Sequence, residues 1–130
     1  MKYTFCLLIA LTLIIAGCAQ ESSDPEAPAK AIEKYLEARI SKDTELFAGT
    51  FCADFESDAL IEFDSFGELE STLEDMTCKV DNISDATASV TCTGSLSTVY
   101  NGETRRPLDL ARLPYVASQE DGEWKMCGYN

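Results

Sequence analysis

The hydrophobic period changes once along this chain, near Met76, and no other feature narrows the possible folds as much. Before that point Ile32, Tyr35, Leu36 and Ile40, backed by Ala31 and Ala38, recur at helical spacing, opposite a face holding Lys30, Glu33, Lys34 and Glu37. Pro28 suits the first turn of this helix, and a break follows at Ser41-Lys42. Asp43 can then cap a second short helix that turns Leu46 and Phe47 toward Phe51. Phe55, Ala59, Leu60 and Phe63 mark a third amphipathic piece. Ser65 with Glu68 reads as a capping box leading to Leu69 and Leu73 one turn apart. After Met76 the period is two: Met76, Cys78 and Val80 alternate with Thr77, Lys79 and Asp81, and Ala88, Val90, Cys92 and Leu96 repeat the pattern. Asn101-Gly102 and Asp121-Gly122 are tight-hairpin dipeptides. They bound a third strand, Leu108 to Ser118, kinked at Pro114, and Glu123 to Tyr129 makes the last. Helices followed by a four-stranded antiparallel meander define an α+β fold.

The start of the chain belongs to a different class of segment. From Phe5 to Ala16 about a dozen residues are nearly all apolar, too few for the roughly 20 that span a bilayer. Lys2 precedes them and the small pair Ala16-Gly17 stands before Cys18, the layout of a cleavable signal peptide. Ile15-Ala16-Gly17-Cys18 resembles the lipobox of bacterial lipoprotein precursors. That resemblance implies a signal peptide over 1–17, cleavage after Gly17, and diacylglyceryl and palmitate-type acylation at Cys18, because stable anchoring needs more than one acyl chain. The plainer alternative is a secretory signal cut near Ala19. Residues 18–28, with Glu, Ser, Asp and two prolines, read as a lipidated cysteine and solvated tether, leaving 29–130 as one domain. The implied location is the bacterial cell envelope, outside the cytoplasm: the outer membrane in a Gram-negative diderm, the cell surface otherwise.

Without residues 1–17 the chain keeps nine basic and 23 acidic side chains, a formal charge of −14. Such a balance argues against nucleic acid and leaves the lipid on Cys18 as the route to a membrane. There is no histidine, so the commonest general base and metal ligand is missing. No cofactor motif, metal-ligand set or catalytic constellation is present. Cys52, Cys78, Cys92 and Cys127 are an even set in an oxidising compartment and imply two disulfides; four-thiolate zinc is the rival, but no C-x-x-C pair exists. A hairpin turning around Ser84-Asp85 places Val80 opposite Val90 and Cys78 opposite Cys92, close enough to bridge. Cys52 then pairs with Cys127 across about 75 residues, worth about 4 kcal/mol in loop entropy. The rival pairings of Cys52 with Cys78 or Cys92 stay open at this point.

The opening Ala29-x-Ala31-Ile32-x-x-Tyr35-Leu36-x-Ala38, the Lys42-Asp43 break and the closing Asp121-Gly122-Glu123-Trp124-Lys125-Met126-Cys127-Gly128 resemble nuclear transport factor 2-like (cystatin-like) domains. That resemblance covers 29–130 and implies helices packed into a strongly curved sheet, a cone. It is nearer still to bacterial lipoproteins with no established activity that carry Asp64-Ser65-Phe66, Cys92-Thr93-Gly94 and a terminal W-K-x-C-G. Enzymes of the superfamily work with acid/base residues inside the cone, for which Tyr35, Asp54, Asp109 and Tyr115 are candidates by type. Core aromatics and solvated acids are the plainer reading, as is Trp124 as a core anchor. Arg105-Arg106 is the one adjacent basic pair and a candidate interaction site for a carboxylate; the plainer role is neutralising Glu103 and Asp109. Three functions follow as expectations. The first is an envelope lipoprotein that binds a small molecule or an envelope protein without catalysis. The second is an isomerase- or dehydratase-like enzyme with a carboxylate in the cone, and the third a structural spacer or inhibitor acting through protein contacts.

Overall fold

The computed structural model describes residues 24–130; the expected signal peptide, Cys18 and most of the tether lie outside the described residues. Helix α1 spans Ala27–Ser41, α2 Thr44–Ala48 and α3 Glu56–Ser65, with a 3-10 turn over Ala53–Phe55 between the last two. The strands are β1 (Glu70–Ser84), β2 (Thr87–Tyr100), β3 (Glu103–Thr104), β4 (Leu108–Asp109), β5 (Tyr115–Glu120) and β6 (Glu123–Tyr129). Folded structure starts earlier than the tether reading allows. Asp24 accepts the Glu26 amide at 2.9 Å and pairs with Lys30 at 2.7 Å, closing a turn onto a helix whose Pro28 is buried. Lys42, in the left-handed region at φ 62°, ends α1, and the Asp43 side chain accepts the Glu45 and Leu46 amides as the cap of α2.

The sheet is antiparallel in the order β1-β2-β5-β6, with β3 and β4 also paired to β2, so it has six strands rather than four. The expected strand from Leu108 to Ser118 is divided. Asp109 accepts the Ala111 amide at 3.0 Å, which folds Leu110–Arg112 into a 3-10 turn and drops Leu110 into the core. Pro114 has no amide to donate, so pairing resumes only at Tyr115. A second difference lies at Ser65. Its hydroxyl donates back to the Glu62 carbonyl and ends α3, and Leu69 and Leu73 lead into and along β1, which starts at Glu70. A spacing of four is even, so Leu69 and Leu73 satisfy a strand as well as a helix, and pairing of Leu73 with Leu96 decides between them.

Curvature comes from bulges. Cys78 faces Cys92 and Val80 faces Val90 in the register expected, but β1 gains a residue between Val80 and Asn82 and again between Glu74 and Thr77. At the second bulge Gly94 has φ +99°, and a Cβ there would lie 2.5 Å from the Glu74 carbonyl oxygen. Two disulfides are formed: Cys78–Cys92 across the β1–β2 ladder, and Cys52–Cys127, which holds the segment after α2 against β6. That segment also hydrogen bonds to β6, Met126 donating to Thr50 and accepting from Cys52, so it covers the β6 edge. Helix α1 lies across β1, β2, β5 and β6. The space between is filled by Ile32, Tyr35, Leu36, Phe47, Val90, Leu110, Tyr115 and Met126, none more than 1% exposed. Leu46 and Leu60, expected on buried faces, are about half exposed. Trp124 is only partly buried, at the core's edge beside Ala27 and Ala31 of α1, and not the core anchor expected.

Candidate functional site: a carboxylate closed in by arginine and tyrosine

Of the four candidates by type, the structure brings Tyr35 and Tyr115 inside the cone and leaves Asp54 and Asp109 on the surface. The carboxylate that enters is Glu62. Its Oε2 accepts from Arg39 Nη1 at 2.7 Å, Tyr35 Oη at 2.8 Å and Tyr129 Oη at 2.9 Å. Arg39, 4% exposed, sits with its guanidinium carbon 4.9 Å from the Phe66 ring centre and 5.7 Å from that of Tyr35. Tyr115 and Tyr129 lie with ring centres 5.5 Å apart. The Tyr115 hydroxyl and Arg39 Nε are buried without a hydrogen-bond partner.

Arg39 and Glu62 carry a signal that residue types alone miss. Ile32, Leu36 and Arg39 stand at i, i+4 and i+7, and so do Phe55, Ala59 and Glu62. Each charge therefore occupies the next core-facing position of an apolar stripe. Burying two opposite charges on facing helices is tolerable only if they meet, because an isolated buried charge costs several kcal/mol. The 2.7 Å pair is that solution.

Burial raises the Tyr35 hydroxyl far above its ordinary value, and the Glu62 charge and hydrogen bond add to it. Tyr129 is raised by burial first, with Arg39 opposing and Glu62 reinforcing. Burial pushes Tyr115 up to about 12, again against the pull of Arg39. Desolvation works against the Arg39 charge, yet Tyr129, Glu62 and Tyr35 together outweigh it and raise its pKa. The tyrosines are thus neutral donors near neutral pH, unfit to act as bases. Three donors occupy one oxygen of Glu62, and packed side chains occupy the cone beneath it. The cluster ties α1, α3 and β6 together at one carboxylate.

Other concavities lie away from this cluster. A groove of about 780 Å³ runs between Pro25 with the start of α1 (Ala29, Glu33) and β1 (Cys78, Val80, Ile83). The Cys78 amide donates to Glu33 Oε1 at 2.8 Å at its floor. Arg105 and Arg106 are exposed, and neither is within ion-pair distance of Glu103 or Asp109. Among the described residues no group of His, Cys, Asp and Glu is placed to hold a metal, and no helix is long and apolar enough to cross a membrane.

No family model matches the chain, and no curated protein matches it either. It is similar to a solved structure of a candidate ketosteroid isomerase from Shewanella frigidimarina NCIMB 400, with 14% identity, a TM-score of 0.53, and coverage of 77% of this chain and 90% of that one. At that identity the likeness shows the fold alone, an α+β arrangement of helices on an antiparallel sheet shared with that structure.

Proposed function

We propose that this chain is a cell-envelope lipoprotein, anchored through Cys18, whose disulfide-stabilised domain binds an envelope protein at its outer surface without catalysis. One observation carries the non-catalytic reading: the cone is filled by side chains that are 1% exposed or less, and its one carboxylate is held by Arg39 and two tyrosines. The packing of buried side chains in the described core favours a protein partner at the surface over a ligand inside it. The lipobox pattern, the acidic charge and the two disulfides support an exported, tethered location.

Two experiments test this reading. Mass spectrometry of the mature amino terminus should find an acylated Cys18, and Cys18→Ser should release the chain from the membrane fraction; an unmodified terminus at Ala19 or Gln20 overturns the anchor. Cross-linking of the tagged chain in its own envelope should yield one discrete protein adduct that Cys18→Ser weakens.

A second reading, an isomerase- or dehydratase-like enzyme, is favoured by one fact: the Glu62 side chain is 24% exposed, with Oε1 free of hydrogen bonds to the protein. It requires turnover that Glu62→Gln abolishes while the fold is retained.

A further inference from the structure

The loop between β3 and the 3-10 turn after β4 concentrates positive charge on an acidic domain. Arg105, Arg106 and Arg112 are three of the nine basic residues after the signal segment, and Asp109 is the sole acid from 105 to 112. Among the described residues none of the three lies within 4.0 Å of a carboxylate.

Their backbone is held rigidly. The Arg105 amide donates to Thr98 at 2.8 Å, Leu108 and Asp109 pair with Leu96 and Ser95, and Pro107 between them fixes its own φ. Asp109 caps the following turn and Leu110 anchors it in the core. A pocket of about 400 Å³ results, lined by Arg106, Pro107, Leu108, Asp109 and Arg112. Beside it Arg105 lies 5.8 Å from the Tyr100 ring centre, and Tyr100 and Leu108 are 41% and 40% exposed. Unpaired guanidinium groups beside an exposed tyrosine on a fixed backbone match the Arg and Tyr enrichment of protein-binding hot spots, and Leu108 adds apolar surface next to them.

The described chain begins beside the far ends of the other hairpins: Pro25 and Glu26 lie against Thr77 to Ile83, and Ala27 against Gly122. The arginine loop follows the opposite end of the 14-residue β2. It therefore lies at the end of the sheet away from the start of the described chain.

We propose that the Arg106–Arg112 pocket is a docking site for an acidic, leucine-bearing segment of an envelope protein. The carboxylates would be received by Arg106 and Arg112 and an apolar side chain by Leu108 and Tyr100. This deepens the binding reading above and rests on it.

The test uses the full chain, disulfides intact, in a non-ionic detergent. The probe is a labelled peptide alternating glutamate with leucine, followed by fluorescence anisotropy. The peptide should bind, and replacing its glutamates by glutamine should weaken binding at least about tenfold. Arg106→Glu with Arg112→Glu should do the same, whereas Lys34→Glu with Lys79→Glu, the same charge change elsewhere, should stay within about threefold. Three results would overturn the site: no binding, equal losses in both double variants, or inorganic phosphate displacing the peptide as well as unlabelled peptide does. Capture of an envelope partner unaffected by the Arg106 and Arg112 changes sinks the pocket and spares the binding reading. Peptide binding lost in those variants, with no partner ever captured, does the reverse.

Discussion

Glu62→Gln should reveal how much of the closure of this domain rests on one carboxylate. The substitution keeps size and an acceptor oxygen but removes the charge, leaving Arg39 with a 5% exposed side chain and no counter-ion. Breaking a fully buried pair typically costs 3–5 kcal/mol, and because Glu62 is 24% exposed, water can reach the remaining guanidinium, so about 3 kcal/mol is expected. Against a total stability of roughly 5–15 kcal/mol for a domain, that is a large fraction. Arg39→Met leaves a carboxylate that still has two tyrosine donors and some solvent, while losing the Phe66 contact, and should cost about 2 kcal/mol. The double variant Arg39→Met with Glu62→Leu replaces the pair by apolar volume but leaves the Tyr35 and Tyr129 hydroxyls without their acceptor, so it should lose clearly less than the two single losses together without returning to the parent. Urea unfolding with the disulfides intact, followed by circular dichroism, measures all three, and Glu62→Leu alone closes the cycle that gives the coupling energy. Additive losses in the double variant, or a Glu62→Gln cost below about 1 kcal/mol, would refute the reasoning that this pair holds α3 over the cone.

Two other perturbations have expected outcomes. Gly94→Ala forces a Cβ to within 2.5 Å of the Glu74 carbonyl at φ +99°, so thermal melting should show a loss of about 2–4 kcal/mol, and an unchanged melting temperature would mean the bulge can relax. Removing Cys52–Cys127, with 75 residues between its ends, should cost about 4 kcal/mol. Removing Cys78–Cys92, with a separation of 14, should cost about 3 kcal/mol, and the reverse order in paired alanine variants would contradict the loop-entropy account.

Much of the architecture was legible because periodicity and turn chemistry are local properties. The α1 stripe, the Asp43 cap and the pairing of Cys78 with Cys92 all follow from spacing within a few residues or one hairpin. What escaped depends on tertiary context. Leu69 and Leu73 suit either period, and only β2 alongside makes that segment a strand. The division of Leu108 to Ser118 depends on Asp109 capping a turn and Leu110 finding the core, neither of which alternation reports. At the site, selecting acids by type found Asp54 and Asp109, which are exposed, and missed Glu62. The usable signal was a charge at a core-facing position of a helical stripe, on two helices at once. Arg105 and Arg106 were visible as a pair, but their lack of carboxylate partners is a property of the folded loop.

The ionisation of Tyr115, followed by carbon NMR of ring-labelled tyrosine, tests most directly whether the cone is closed. Burial keeps this hydroxyl neutral in the folded state, so it stabilises the domain fully below pH 10 and that contribution is lost as pH rises from the ordinary value of 10.0 through the raised one. A filled, sealed cone predicts Tyr115 titrating at about 12, with stability falling over that interval and Tyr115→Phe flattening the fall. Ionisation near 10.0 would contradict it, because water, and with it a ligand, would then reach the interior.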